Sequence, residues 1–114
     1  YVCDCRVVNL GKLHTIHGHE FKDKFVAMPV NPARKFFLQA KSNVIGGHHH
    51  QVSEHQEPTI SGKMISTWSM GCGCDLHPHY KPINRWSLGF AMVDVSSDGE
   101  FGVRNMRVIN GKAM

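Results

Sequence analysis

The sequence predicts a mixed α/β domain, mostly strands with one clear helix. Three observations predict it. Apolar residues alternate in short β-prone runs punctuated by Gly, Pro and Asn. A single segment carries the i, i+3, i+4, i+7 spacing of a helical face. With 41% apolar and 19% charged residues, the 114-residue chain has the composition of a folded domain rather than a disordered one.

Tyr1 to Leu10 reads as a strand, Gly11-Lys12 as a turn, and Leu13 to His17 as a second strand stopped by Gly18. His19 to Val30 has no period and reads as a loop. Asn31-Pro32 suits a helix start, with Asn as cap and Pro in the first turn. Ala33, Phe36, Phe37 and Ala40 then line one face, Phe36-Phe37 as helix core, and Lys41-Ser42 ends the helix. Asn43 to Ile45 is a short buried strand broken at Gly46-Gly47, and His48 to Pro58 reads as polar loop. Thr59 to Ser69 reads as a hairpin turning at Ser61-Gly62-Lys63, and Gly71 to Arg85 as a loop. Trp86 to Val95 and Glu100 to Ile109 are the clearest strands, joined by a turn at Ser96–Gly99. Trp68 and Trp86 are expected in the core. One helix cannot cover both faces of such a sheet, so apolar faces are left over for a partner.

The excess of 13 Lys and Arg over 9 Asp and Glu gives a net charge of +4, spread along the chain without a basic block. It is compatible with a nucleic-acid or nucleotide substrate and does not select one. No apolar run reaches transmembrane length and no leader is visible, so a cytoplasmic protein with no membrane partner is expected. The chain opens at Tyr1, which suggests processing or a segment of a longer protein.

Histidine is the outlier, with nine residues. Neutral imidazole is the commonest side-chain metal ligand. The four Cys form two C-x-C pairs, Cys3/Cys5 and Cys72/Cys74, a spacing short of the usual zinc knuckle. They read as small buried hydrophobes, or as a four-Cys site should the two pairs meet. His17 follows one strand and His48-His49-His50 follows another, each beside Gly. Carboxyl ends of strands are where α/β sheets bind ligands. In an extended segment His48 and His50 point the same way, so His17, His48 and His50 can converge on a metal. His49 would be a solvated spacer, His14 sheet-facing structure, and His77 and His79 a separate H-x-H pair around Pro78.

The arrangement resembles the calcineurin-like metallophosphoesterase superfamily, whose motifs run D-x-H, G-D-x-x-D, G-N-H-E/D, H-G-H and G-H-x-H. Here His17-Gly18-His19 looks like the fourth and Gly47-His48-His49-His50 like the fifth, with a helix between them. The Ser69-Met70-Gly71 turn also looks like the family's small-residue turn in that place. No D-x-H precedes His17, and neither G-D-x-x-D nor G-N-H occurs in these 114 residues. The resemblance therefore implies a single C-terminal half-domain, residues 1–114, of a layered β-sandwich flanked by helices. It implies a metal-dependent phosphoesterase that cleaves phosphomonoesters or phosphodiesters with a metal-activated hydroxide, inactive without its missing N-terminal half.

By the same resemblance, His17 and His48 would ligate one metal of a binuclear pair of Mn, Fe, Zn or Ni, His50 would ligate the other, and His19 would face substrate. No catalytic acid or base is assigned. The partner would be the complementary N-terminal half or another chain. The alternatives are a non-catalytic phosphoesterase-like scaffold that binds proteins and, outside the family, a small His-rich zinc domain.

Overall fold

A computed structural model describes residues 7–19, 30–80 and 83–114. Among the described residues, eight strands and one helix run β1 (Val8–Leu10), β2 (Leu13–Thr15), α1 (Pro32–Ala40), β3 (Val44–Gly46), β4 (Ser53–Pro58), β5 (Met64–Ser69), β6 (Gly89–Val95), β7 (Phe101–Ile109) and β8 (Lys112–Ala113). They build two sheets, one of five strands in the order β1-β2-β3-β5-β4 and one of three in the order β6-β7-β8. In the larger sheet β2, β3 and β5 are neighbouring parallel strands, and β1 and β4 are antiparallel edges. The smaller sheet is antiparallel throughout. Among the described residues, no helix is long and apolar enough to cross a membrane.

Strand alternation gives the larger sheet two buried faces. Leu13, Ile45 and Trp68 point toward the smaller sheet and pack with Met70, Ala91, Val93, Phe101 and Val103. The Trp68 and Phe101 rings meet edge to face at 6.1 Å. Ile16 and Val44 point the other way, onto Phe36 and Ala40 of α1. Two polar ties fix these layers. Thr67 Oγ1 donates to the Ala33 carbonyl at 2.6 Å, holding the start of α1 on β5. Asn105 Nδ2 donates to the Ser53 and Ser69 carbonyls at 3.2 and 2.9 Å, joining β7 to the larger sheet.

The helix matches the expected span. Asn31 caps it by accepting from the Arg34 amide at 3.1 Å, and Lys41 closes it in the left-handed conformation. Phe36 is fully buried as expected, whereas Phe37 is half-buried against His55, ring centroids 5.1 Å apart.

Three expectations are corrected. The polar stretch read as loop contains β4, an edge strand whose register with β5 runs from Ser53↔Ser69 to Pro58↔Met64. Its partner β5 supplies the hydrogen bonds that its own apolar pattern does not announce. The predicted hairpin turn is right, but its first arm lies upstream of Thr59. Trp86 precedes β6, because the chain there is held in a loop by Cys72 and His50 rather than by a sheet partner. The expected strand from Tyr1 survives as β1, its first six residues lying outside the described residues, as do Cys3, Cys5 and most of the 19–30 loop.

Candidate functional site

The carboxyl ends of β2, β3 and β5 lie side by side, and backbone hydrogen bonds lock them there. The His17 carbonyl accepts from the amides of Gly47 at 2.9 Å and His48 at 2.7 Å. The Met70 amide donates to the Gly46 carbonyl at 2.8 Å. This staple brings His17 and His48 together across two strands, with ring centroids 4.9 Å apart. His19 joins them, its Nδ1 lying 2.8 Å from His17 Nδ1 and its ring 6.3 Å from that of His48.

Gly18 permits the close approach. Its φ is +118°, and a Cβ there would lie 2.7 Å from His48 Cβ and 3.1 Å from Phe36 Cζ. Partial desolvation, followed by the neighbouring imidazoles of His17 and His19, holds His48 below the usual histidine range.

The next residues turn. His48 and His49 form a turn closed by the His50 amide donating to the Gly47 carbonyl at 3.2 Å, and His50 itself takes φ +57°. The segment is therefore not extended, and the period-two argument for His48 and His50 does not apply to it. His49 is not a solvated spacer either. It packs beside Phe36 at 5.6 Å and His48 at 5.2 Å, and its Nε2 is sealed from solvent. Burial first, then Lys35 and the other imidazoles, pushes its pKa down to about 4.

His50 faces a different set of groups. Its ring packs edge-on against Trp86 at 4.5 Å, and its Nδ1 lies 3.9 Å from Cys74 Sγ. With Cys72 these atoms all lie within 4.8 Å of one another, the one group of three or more candidate ligands of this kind among the described residues. Cys72 is buried and Cys74 exposed, both as free thiols. The Cys74 thiol is pushed up, chiefly by its hydrogen bond to Cys72.

Gly71 makes this contact sterically allowed, since a Cβ there would sit 2.6 Å from both the Gly89 nitrogen and the Ser87 carbonyl oxygen. The Cys72 amide donates to the Ser87 carbonyl at 2.9 Å, and the Ser87 amide donates to the His50 carbonyl at 2.8 Å. Neither His77 nor His79 falls in such a group, and His14 bonds Asn9 Oδ1 across β1 and β2 at 2.6 Å.

The strand ends thus bring two imidazoles, His17 and His48, side by side. Among the described residues no carboxylate joins them in a group of three candidate ligands. Sequence reasoning weighed Cys72 and Cys74 as ligands only together with Cys3 and Cys5, and missed His50 as their neighbour. The signal was present, as a Gly-Cys-Gly-Cys run in a loop, but the third partner lies 22 residues before the first Cys and reaches it through a turn.

The fold is a layered mixed α/β one, with α1 on one face of the five-stranded sheet and the three-stranded sheet on the other. No family model and no curated protein matches the chain. Among solved structures it is similar to Vps29 from Entamoeba histolytica, in a wild-type crystal structure complexed with Zn²⁺ and in a single-mutant crystal structure. Each superposes with a TM-score of 0.52 at 15% identity, covering 96% of this chain. The chain spans 56% of the length of that Vps29. At this identity the likeness is one of fold.

Proposed function

We propose that this chain is a metallophosphoesterase-like module that works as a protein-binding scaffold and not as a hydrolase. The observation that carries the reading is the contrast between an uncovered apolar sheet face and a histidine cluster without carboxylates. On the outer face of the smaller sheet, Phe90 is 43% and Met92 47% exposed, with Met106 opposite Phe90, Val108 further along β7, and the Arg104–Asp94 ion pair bordering this apolar end. The larger sheet is covered by α1 on one side and by β6 and β7 on the other. An apolar face of this kind suits a partner surface, from the rest of the protein or from another chain. The similarity to Vps29 supports the architecture on which the reading rests.

One observation favours the hydrolytic reading instead: His17 and His48 are stapled together at the ends of adjacent parallel strands. A divalent ion held there would polarise a phosphate oxygen and lower the pKa of water. The residues that complete such a centre would come from outside this chain. The test is turnover of p-nitrophenyl phosphate and bis-p-nitrophenyl phosphate by the full-length protein with Mn²⁺ or Zn²⁺. The scaffold reading predicts rates equal to those of His48→Ala. Metal-dependent turnover that His48→Ala abolishes would replace it with the hydrolase.

A further inference from the structure

The geometry points to a second metal centre, separate from the strand-end histidines: His50, Cys72 and Cys74 hold one thiophilic divalent cation of the zinc type. Tetrahedral zinc with sulfur and nitrogen ligands places its donor atoms about 3.5–3.8 Å apart. His50 Nδ1 and Cys74 Sγ stand 3.9 Å apart, and all three donors fall within 4.8 Å.

The backbone is already tied in place. The His50 carbonyl holds Ser87, Ser87 holds Cys72, and the Gly89 amide donates to the Cys72 carbonyl at 3.2 Å. Trp86 packs on the His50 ring and fixes its plane. His50 adopts a left-handed backbone, uncommon for a residue other than Gly, and that conformation turns it away from an extended His48–His50 run.

Charge selects the metal class. Two thiols ionise on binding, both protons leave to solvent, and the divalent ion meets two thiolates and a neutral imidazole. The resulting centre is electrically neutral, which suits a buried Cys72. Thiolates favour zinc over manganese or magnesium. Coordination replaces the weak contact that Cys72 Sγ makes with the Ser87 carbonyl at 3.6 Å. Three protein donors leave one tetrahedral position on the exposed Cys74 side, for water or for a donor from a partner. The ion would clamp the connection after β3 to the chain entering β6, and so one sheet to the other. This inference does not depend on whether the protein hydrolyses phosphate esters.

The test is cobalt titration of the reduced full-length protein. We expect sulfur-to-cobalt charge-transfer absorption that saturates with these ligands, is displaced by Zn²⁺, is lost in Cys72→Ser/Cys74→Ser, and persists in His17→Ala/His48→Ala and in Cys3→Ser/Cys5→Ser. A second measurement needs no variant: Zn²⁺ should protect Cys72 and Cys74 from alkylation, read by peptide mass mapping, and leave Cys3 and Cys5 reactive. No thiolate band at excess cobalt, a band that depends on Cys3 and Cys5, or equal labelling with and without Zn²⁺ would overturn the assignment.

Discussion

Two donor groups sit at the same end of the larger sheet, and they are held in different ways. His17 and His48 are placed by strand ends, through one carbonyl that accepts two amides. Their positions follow from the parallel register of β2 with β3. His50, Cys72 and Cys74 are placed by loops, with His50 and Cys72 each tied to residues 86–89. The first group rests on Phe36 and the core under α1, and the second rests on the junction between the sheets. Residues two apart in sequence, His48 and His50, are thereby assigned to different neighbourhoods. A single tight turn decides which chemistry each can join.

The largest expected effect separates the supports. Phe36 is fully buried and packs beneath Gly18 and beside His49. Phe36→Ala should cost about 3–5 kcal/mol in urea unfolding. The surviving folded fraction should keep thiol protection by Zn²⁺ at Cys72 and Cys74, because no part of that group rests on Phe36. Loss of both properties together would mean that the groups are mechanically one.

Metal linkage comes next. If zinc binds only the native state, a hundredfold excess over Kd should stabilise by about 2.7 kcal/mol. Thermal melts should rise with Zn²⁺, and His50→Ala should reduce the rise more than His17→Ala does. The reverse ranking would move the principal site to the strand ends.

Acidification tests the first group alone. His49 is neutral in the fold, its pKa pushed down to about 4, whereas an unfolded histidine takes a proton below about 6.5. The unfolded chain therefore binds more protons between these values, and stability falls as the pH drops through that window. After allowance for partial solvent screening the loss is about 1–2 kcal/mol. Urea midpoints from pH 7 to pH 4 should decline more steeply in the wild type than in His49→Gln, and parallel declines would remove His49 as the cause.

The smallest effect concerns the helix that backs the strand ends. Asn31→Ala removes the cap that the Arg34 amide uses and should cost about 1 kcal/mol, read as a lower Tm with both donor groups intact. A larger loss would show that the cap also orders the preceding loop.

The helix and the strand ends were readable because local chemistry decided them. Asn31-Pro32 caps, Phe36 repeats on one face, and Gly46 ends β3, while β2 stops at Thr15, before the expected Gly18. β4 was not readable, since Ser-Glu-His-Gln-Glu-Pro has little apolar pattern and is an edge that β5 recruits. The pairing of His17 with His48 could be anticipated from two strand ends in one parallel sheet. The company of His50 could not, because it depends on a left-handed residue in a turn and on a loop 22 residues later that folds back through Gly71. Tertiary contacts between loops leave no period in a sequence.

The most direct measurement is anomalous-difference diffraction at the zinc edge, from crystals of the full-length protein grown with Zn²⁺. A peak coordinated by His50, Cys72 and Cys74, with His17 and His48 outside its coordination shell, is the predicted result. A single peak shared by His17, His48 and His50, with both thiols unliganded, would contradict the division of the site.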